Sequence, residues 1–267
     1  MRLFDAHNHL QDTRLAPFLD DVLARARAAG IERMAVKGCS EADWDRVLEL
    51  AAAHESIHPA LGLHPWFVAE RTPEWMKHLE RLLREHPAAS VGEIGIDRAV
   101  EPRDDADQEA VFLAQLELAR DLDRPVTIHC RRAWGRLIEL LDRFGPLPRG
   151  LLIHCFGGSA ETAAELLRRG AFLSFSGTLT RPDPRKAAAA IRTVPADRLL
   201  LETDAPDLLP RTVPADRPFR DERTGRPLNE PAFLSFVLER AAELREEDPQ
   251  RLAEQTFANA ECFFLTP

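Results

Sequence analysis

The chain has 267 residues, 45% hydrophobic and 30% charged, and carries a net charge of −9. That is enough apolar content for one large core, and the acidic balance excludes a surface that coats nucleic acid broadly, though not a local positive pocket gripping one phosphate. No run of about 18 apolar residues exists, so no membrane span is expected.

The chain opens on Leu3-Phe4-Asp5-Ala6-His7-Asn8-His9-Leu10, an apolar run carrying two histidines one residue apart. In a strand these imidazoles share a face and can hold one metal ion, although an H-x-H pair alone is also common in surface strands. This opening has no apolar stretch of the kind a signal peptide needs. Asp20–Ala29 reads as a helix, with acids in its first turn and Gly30 as its stop. Strand Ile31–Val36, helix Ala42–Ala53 and strand Ile57–Leu63 follow, and Pro73–His86 is a helix with proline in its first turn. Strand Ala88–Ile94 leads into a long helix with Phe112, Leu113, Leu116 and Ala119 at helical spacing. Then come strand Pro125–His129, helix Ala133–Phe144, strand Leu151–His154, helix Ala160–Arg169, strand Ala171–Phe175, helix Pro184–Arg192 and strand Arg198–Glu202. The end is helical, with Phe233, Phe236, Val237 and Ala241 on one face, then Pro249–Phe264.

Eight strands, each followed by a helix, imply parallel strands with helical crossovers. The expected architecture is an α/β fold, a single-domain (β/α)8 TIM barrel over residues 1–267. A doubly wound open sheet is the alternative, but no G-x-G-x-x-G follows any strand. Asp207 to Leu228 breaks the alternation as a proline-rich loop with five arginines (Arg211, Arg217, Arg220, Arg223, Arg226) against four acids. Loops of that length are either functional or solvated excursions. Cys39, Cys130, Cys155 and Cys262 show no framework spacing, so a reducing cytoplasm is the expected compartment and a monomer the expected state.

A barrel's active site lies at the C-terminal ends of its strands. The metal-competent residues there are His7, His9, Glu93, His129, His154 and Asp204. The gaps from His9 onward are 84, 36, 25 and 50 residues. With a repeat of roughly 31 residues these count as three units, one, one and two. Any one of these side chains could be a hydrogen-bonded structural residue. Six crowded at one mouth would be costly unless paired or metal-bound. His54, His78 and His86 fall in helical segments and are expected at the surface.

The stretches Asp5-Ala6-His7-Asn8-His9, Gly92-Glu93-Ile94-Gly95-Ile96-Asp97, His129-Cys130-Arg131, His154-Cys155-Phe156-Gly157-Gly158-Ser159 and Leu201-Glu202-Thr203-Asp204-Ala205-Pro206 resemble the TatD family of metal-dependent hydrolases, within the amidohydrolase superfamily. The match runs in order to Asn229-Glu230-Pro231 and the last helices. The resemblance implies two divalent cations, with His7, His9 and Asp204 on one, His129 and His154 on the other, and Glu93 bridging. It also implies deoxyribonuclease activity, often 3′-to-5′ exonucleolytic, with aminoacyl-tRNA deacylation in some members. Two features depart from the family: Arg98 stands where tyrosine is usual, and the loop after Asp204 is longer. Both bear on substrate preference.

Two divalent ions against Glu93 and Asp204 leave a positive mouth suited to a phosphodiester on DNA, and paired metals lower the pKa of bound water toward ~7. Asp204 is the candidate general base and Glu93 its catalytic partner in the metal bridge. Glu202, two residues back, is placed to orient a ligand histidine from behind. His64 at the end of strand 3 could donate to a phosphate oxygen, a role the resemblance favours, and Arg131 could make a bidentate phosphate contact. Mixed imidazole and carboxylate ligation suits Zn, Mn, Fe or Co, and Mg with waters. The competing readings are a metal-dependent deacylase or amidohydrolase acting on aminoacyl-tRNA or a small amide or ester, and a non-catalytic metal-binding scaffold.

Overall fold

Strands covered by helices are buried on both faces, so they read as near-continuous apolar runs. A computed structural model describes residues 1–266 and turns those runs into eight parallel strands: β1 (Leu3–Asn8), β2 (Ile31–Lys37), β3 (Ile57–Leu61), β4 (Ser90–Asp97), β5 (Val126–Arg131), β6 (Leu151–Ile153), β7 (Phe172–Phe175) and β8 (Leu199–Leu201). They lie side by side in sequence order in one sheet. One main helix follows each strand: α1 (Leu19–Ala28), α2 (Trp44–Ala53), α3 (Trp75–Glu85), α4 (Asp105–Asp121), α5 (Trp134–Phe144), α6 (Ala160–Arg168), α7 (Arg185–Thr193) and α8 (Leu234–Arg245). A further helix, α9 (Pro249–Leu265), ends the described chain. This is the expected TIM barrel; Pro267 lies outside the described residues. No helix among the described residues is long and apolar enough to cross a membrane.

The ring closes between its first and last strands. The Asp204 amide donates to the His7 carbonyl (2.9 Å) and the His9 amide to the Ala205 carbonyl (2.7 Å). Buried Asp5 accepts from the Thr203 amide (2.8 Å) and hydroxyl (2.5 Å) across the same seam. The main core fills the space between strands and helices. A smaller cluster joins Phe4, Leu152, Phe172 and Leu200 to Phe257, Phe263 and Phe264 of α9, so this helix packs against the first halves of the strands, opposite the expected mouth.

Strand ends differ from the expectation in a consistent way. β3, β6 and β8 stop before His64, His154 and Glu202, while β4 and β5 run on to Asp97 and Arg131. Beyond β6 and β8 the backbone turns through positive φ at Cys155 (43°) and Asp204 (56°), which takes the chain out of the ladder. The long loop folds back on α1: Phe219 stacks on Phe18 (4.5 Å) beneath the Arg25 guanidinium (3.7 Å). Of the helical histidines expected at the surface, His86 is exposed, but His54 and His78 are half-buried, His78 lying 5.5 Å from the Trp44 ring.

Candidate metal centre

Glu93 is the centre of the mouth, and its two oxygens face different histidines. Oε2 stands 3.2 Å from His7 Nε2 and 3.5 Å from His9 Nε2. Oε1 stands 2.7 Å from His154 Nε2, 3.0 Å from His129 Nδ1 and 3.3 Å from His64 Nε2. Asp204 adds Oδ1 on the first side, 3.7 Å from His7 Nε2 and 3.4 Å from His9 Nε2. Glycines make this approach possible. At Gly95 (φ +148°) a Cβ would fall 2.0 Å from the His129 carbonyl oxygen, and at Gly92 (φ +151°) one would fall 2.8 Å from Thr127 Cβ. All six ligand candidates therefore meet at one site, together with His64 and Glu202.

The ring nitrogens can be assigned from their other partners. His129 Nε2 lies 2.9 Å from Asp97 Oδ2, so it carries the proton and leaves Nδ1 as a lone pair. His9 Nδ1 lies 2.9 Å from the Lys37 carbonyl, which leaves Nε2 as the lone pair. His154 Nδ1 makes no hydrogen bond among the described residues, with Glu202 Oε1 3.4 Å away, and its Nε2 lies toward Glu93. Lone pairs then confront carboxylate oxygens at 2.7 to 3.5 Å, a repulsive arrangement unless a cation or proton sits between them. A divalent ion on each side of Glu93 would turn that repulsion into ligation, so the donor set fits. Side chains that can each offer one ligand atom group as His7, His9 and Asp204, and as His64, Glu93 and His129. His64 differs from the other two in the second group. Its Nδ1 accepts the Trp66 amide (3.1 Å), so its Nε2 is a donor and not a lone pair.

Charge follows the same division. Burial alone would raise Glu93, but the imidazoles of His154, His64 and His7 more than offset it and hold the carboxyl well below its ordinary range. Burial lowers His7 well below the usual imidazole range and His64 to about 4. Burial also opposes charge on His154, yet Glu93 and Glu202 lift it well above that range. Protons and a metal therefore compete for the same lone pairs.

Glu202 is fully buried, accepts the Cys155 amide at 2.7 Å and the Ser174 hydroxyl, and has Oε1 3.4 Å from His154 Nδ1. Arg131 is exposed at the end of β5. Arg98 turns away from the mouth to Asp105 (3.5 Å) and Glu109 (3.4 Å). Asp97 is not among the site residues expected from the sequence, although it shares a strand face with Glu93 and Gly95, a period-2 signal that marks it. Trp66, whose indole Nε1 donates to Asp97 Oδ2 at 2.8 Å, is not among them either. Nor is Lys37. It is fully buried, its Nζ has no hydrogen-bond partner among the described residues, and it lies 4.2 Å from the Phe264 ring centroid. Burial lowers Lys37 to about 7, against the pull of Glu202, Glu93 and Asp5.

An eight-stranded α/β barrel whose mouth gathers imidazoles around one buried carboxylate has the architecture of a metal-dependent hydrolase. The family profile described as TatD related DNase matches residues 4–265. The chain is 36% identical over 266 residues to the 3′-5′ ssDNA/RNA exonuclease TatD of Cronobacter sakazakii, covering 98% of each chain. It is 33% identical over 262 residues to the uncharacterized metal-dependent hydrolase YabD of Bacillus subtilis, again covering 98% of each. Among solved structures it superposes on YJJV, a TatD homologue from Escherichia coli, with a TM-score of 0.90 at 32% identity, covering 100% of this chain and 99% of that one. The chain belongs to the TatD-related DNase family.

Proposed function

We propose that this hydrolase is a phosphodiesterase that removes nucleotides from single-stranded DNA, from the 3′ end, with two divalent cations. The observation that carries the reading is the split of Glu93, whose oxygens face His7 and His9 on one side and His129 and His154 on the other. Bound divalent ions would supply Lewis acidity toward a phosphoryl oxygen and acidify an attacking water. His7, His9 and Asp204 would hold one ion, His129 and His154 the other, and Glu93 both. Asp204, with a side chain 15% exposed beside His9, takes the proton of the attacking water as the P–O bond breaks. His64, whose Nε2 is a donor, binds a phosphate oxygen, and exposed Arg131 offers a second phosphate contact. Glu202 fixes the His154 ring from behind. The enzyme acts as a monomer in the cytoplasm.

The test is metal-loaded protein on 5′-labelled and 3′-labelled single-stranded DNA, beside RNA and aminoacyl-tRNA. A 5′-labelled ladder shortening from its 3′ end, abolished by chelator and restored by metal, is expected. Deacylation of aminoacyl-tRNA with intact DNA would replace this reading by the acyl-transfer one.

A further inference from the structure

Trp66 is 49% exposed, and the other large hydrophobics left exposed among the described residues, Met1 and Leu265, lie at the chain ends. Single exposed hydrophobics are ordinary on a protein surface. This one differs in where it stands and how it is held. It follows β3 directly at the mouth, with its ring 4.9 Å from the His64 ring and 6.1 Å from that of His129. Its amide donates to His64 Nδ1, and its indole N–H donates to the same Asp97 oxygen that receives His129. The indole is thus tied at both ends to the metal centre and keeps much of its surface in solvent. Packing alone gives no reason to fix an aromatic ring there.

We propose that Trp66 is a nucleobase subsite, on which the base next to the scissile phosphate stacks; the proposal rests on the phosphodiesterase reading above. Every base has a π-face, so such a platform binds without sequence preference. The ring is pre-positioned by its hydrogen bonds, so little rotamer freedom is lost on binding. Arg131 pairs in register with Asp97 and stands exposed at the end of β5, which puts a candidate phosphate contact two strands along from the loop that carries the base platform. A base already stacked in a duplex is unavailable to this surface, so the subsite favours unpaired ends.

The experiment compares Trp66→Ala and Trp66→Phe with the parent protein, all metal-loaded and checked for equal metal content. The substrates are a single-stranded oligonucleotide and the same oligonucleotide with abasic 3′-terminal sites. Binding is read separately by anisotropy with metal bound, on a strand made hydrolysis-resistant by phosphorothioate linkages. Trp66→Ala should raise KM and Kd for the base-bearing strand about ten- to hundredfold with kcat within about threefold, while Trp66→Phe stays within about threefold. On the abasic strand all three proteins should agree. Both variants lose the hydrogen bond to Asp97, so equal losses in the two, on both substrates, would mean an effect through Asp97 and would overturn the subsite. Parent-like behaviour of Trp66→Ala on DNA that the parent degrades would overturn it as well. If the parent neither binds nor cleaves DNA, the phosphodiesterase reading itself falls and the subsite with it.

Discussion

Replacing Asp97 by asparagine tests whether the second half of the centre is set from behind. Asp97 Oδ2 takes two N–H groups, from His129 (2.9 Å) and Trp66 (2.8 Å), and Oδ1 takes the Ala99 amide (2.7 Å). An asparagine has one acceptor oxygen. If that oxygen keeps Ala99, its NH2 group faces two donors; if it turns to His129, the NH2 group faces the Ala99 amide. Either way His129 loses the anion that fixes its proton on Nε2 and its lone pair on Nδ1. Losing such an outer partner typically costs 10- to 100-fold in metal affinity, about 1.4–2.7 kcal/mol. The doubled donor conflict places Asp97→Asn toward the upper end. Calorimetric titration of apo-protein with Zn or Mn should resolve two steps, with one weakened and the other within about threefold of the parent. A variant that binds both ions with parent affinity would refute the argument.

Asp204→Asn should keep the fold and cut hydrolysis by 10²–10⁴-fold, and activity above roughly 10% of the parent would remove Asp204 from the base role. Gly95→Ala should destabilise by about 2–5 kcal/mol, since its Cβ meets the His129 carbonyl at 2.0 Å and its φ is +148°; a thermal scan matching the parent would contradict the packing described. His58, buried and bonded to Ser90 Oγ (3.1 Å), is pushed to about 3 by burial, helped by Lys37 and Arg33. The unfolded chain takes up that proton below about 6.5 and the folded chain does not until about 3. Its contribution to stability is therefore undiminished above about 6.5 and shrinks as acid is added, by up to ~1.4 kcal/mol per pH unit. His58→Asn should flatten the acid limb of a denaturant-derived stability curve by one proton, and parallel curves for the two proteins would count against it.

The barrel and the convergence of six polar side chains at its mouth are legible in the sequence because both follow from period. Apolar runs alternate with amphipathic ones, and polar groups recur at the run ends that a parallel barrel brings together. What is not legible depends on neighbours across the sheet. Asp97 matters because β4 lies beside β5, and Trp66 because a loop carries its indole back to Asp97. His64 is a donor because of the Trp66 amide, a contact no spacing predicts. Nothing in the spacing marks Lys37 or His58, and only the fold shows α9 placing Phe264 against both. The turns through positive φ at Cys155 and Asp204 also shortened strands that the apolar pattern had extended.

The seam between β1 and β8 has a consequence for how the chain matures. His7 and Asp204 are near neighbours in the folded protein, but the ribosome makes them 197 positions apart. A nascent chain that has completed seven strands holds only part of the donor set and has Asp5 without its Thr203 partner. Cation capture at this end of the site would then be a late event, linked to ring closure, since contacts of such long sequence separation form slowly. An ion seated there would act as a clasp between the first and last strands. It would add its binding energy to the closed ring and none to truncated products, so metal supply during synthesis would influence how much chain reaches the closed state.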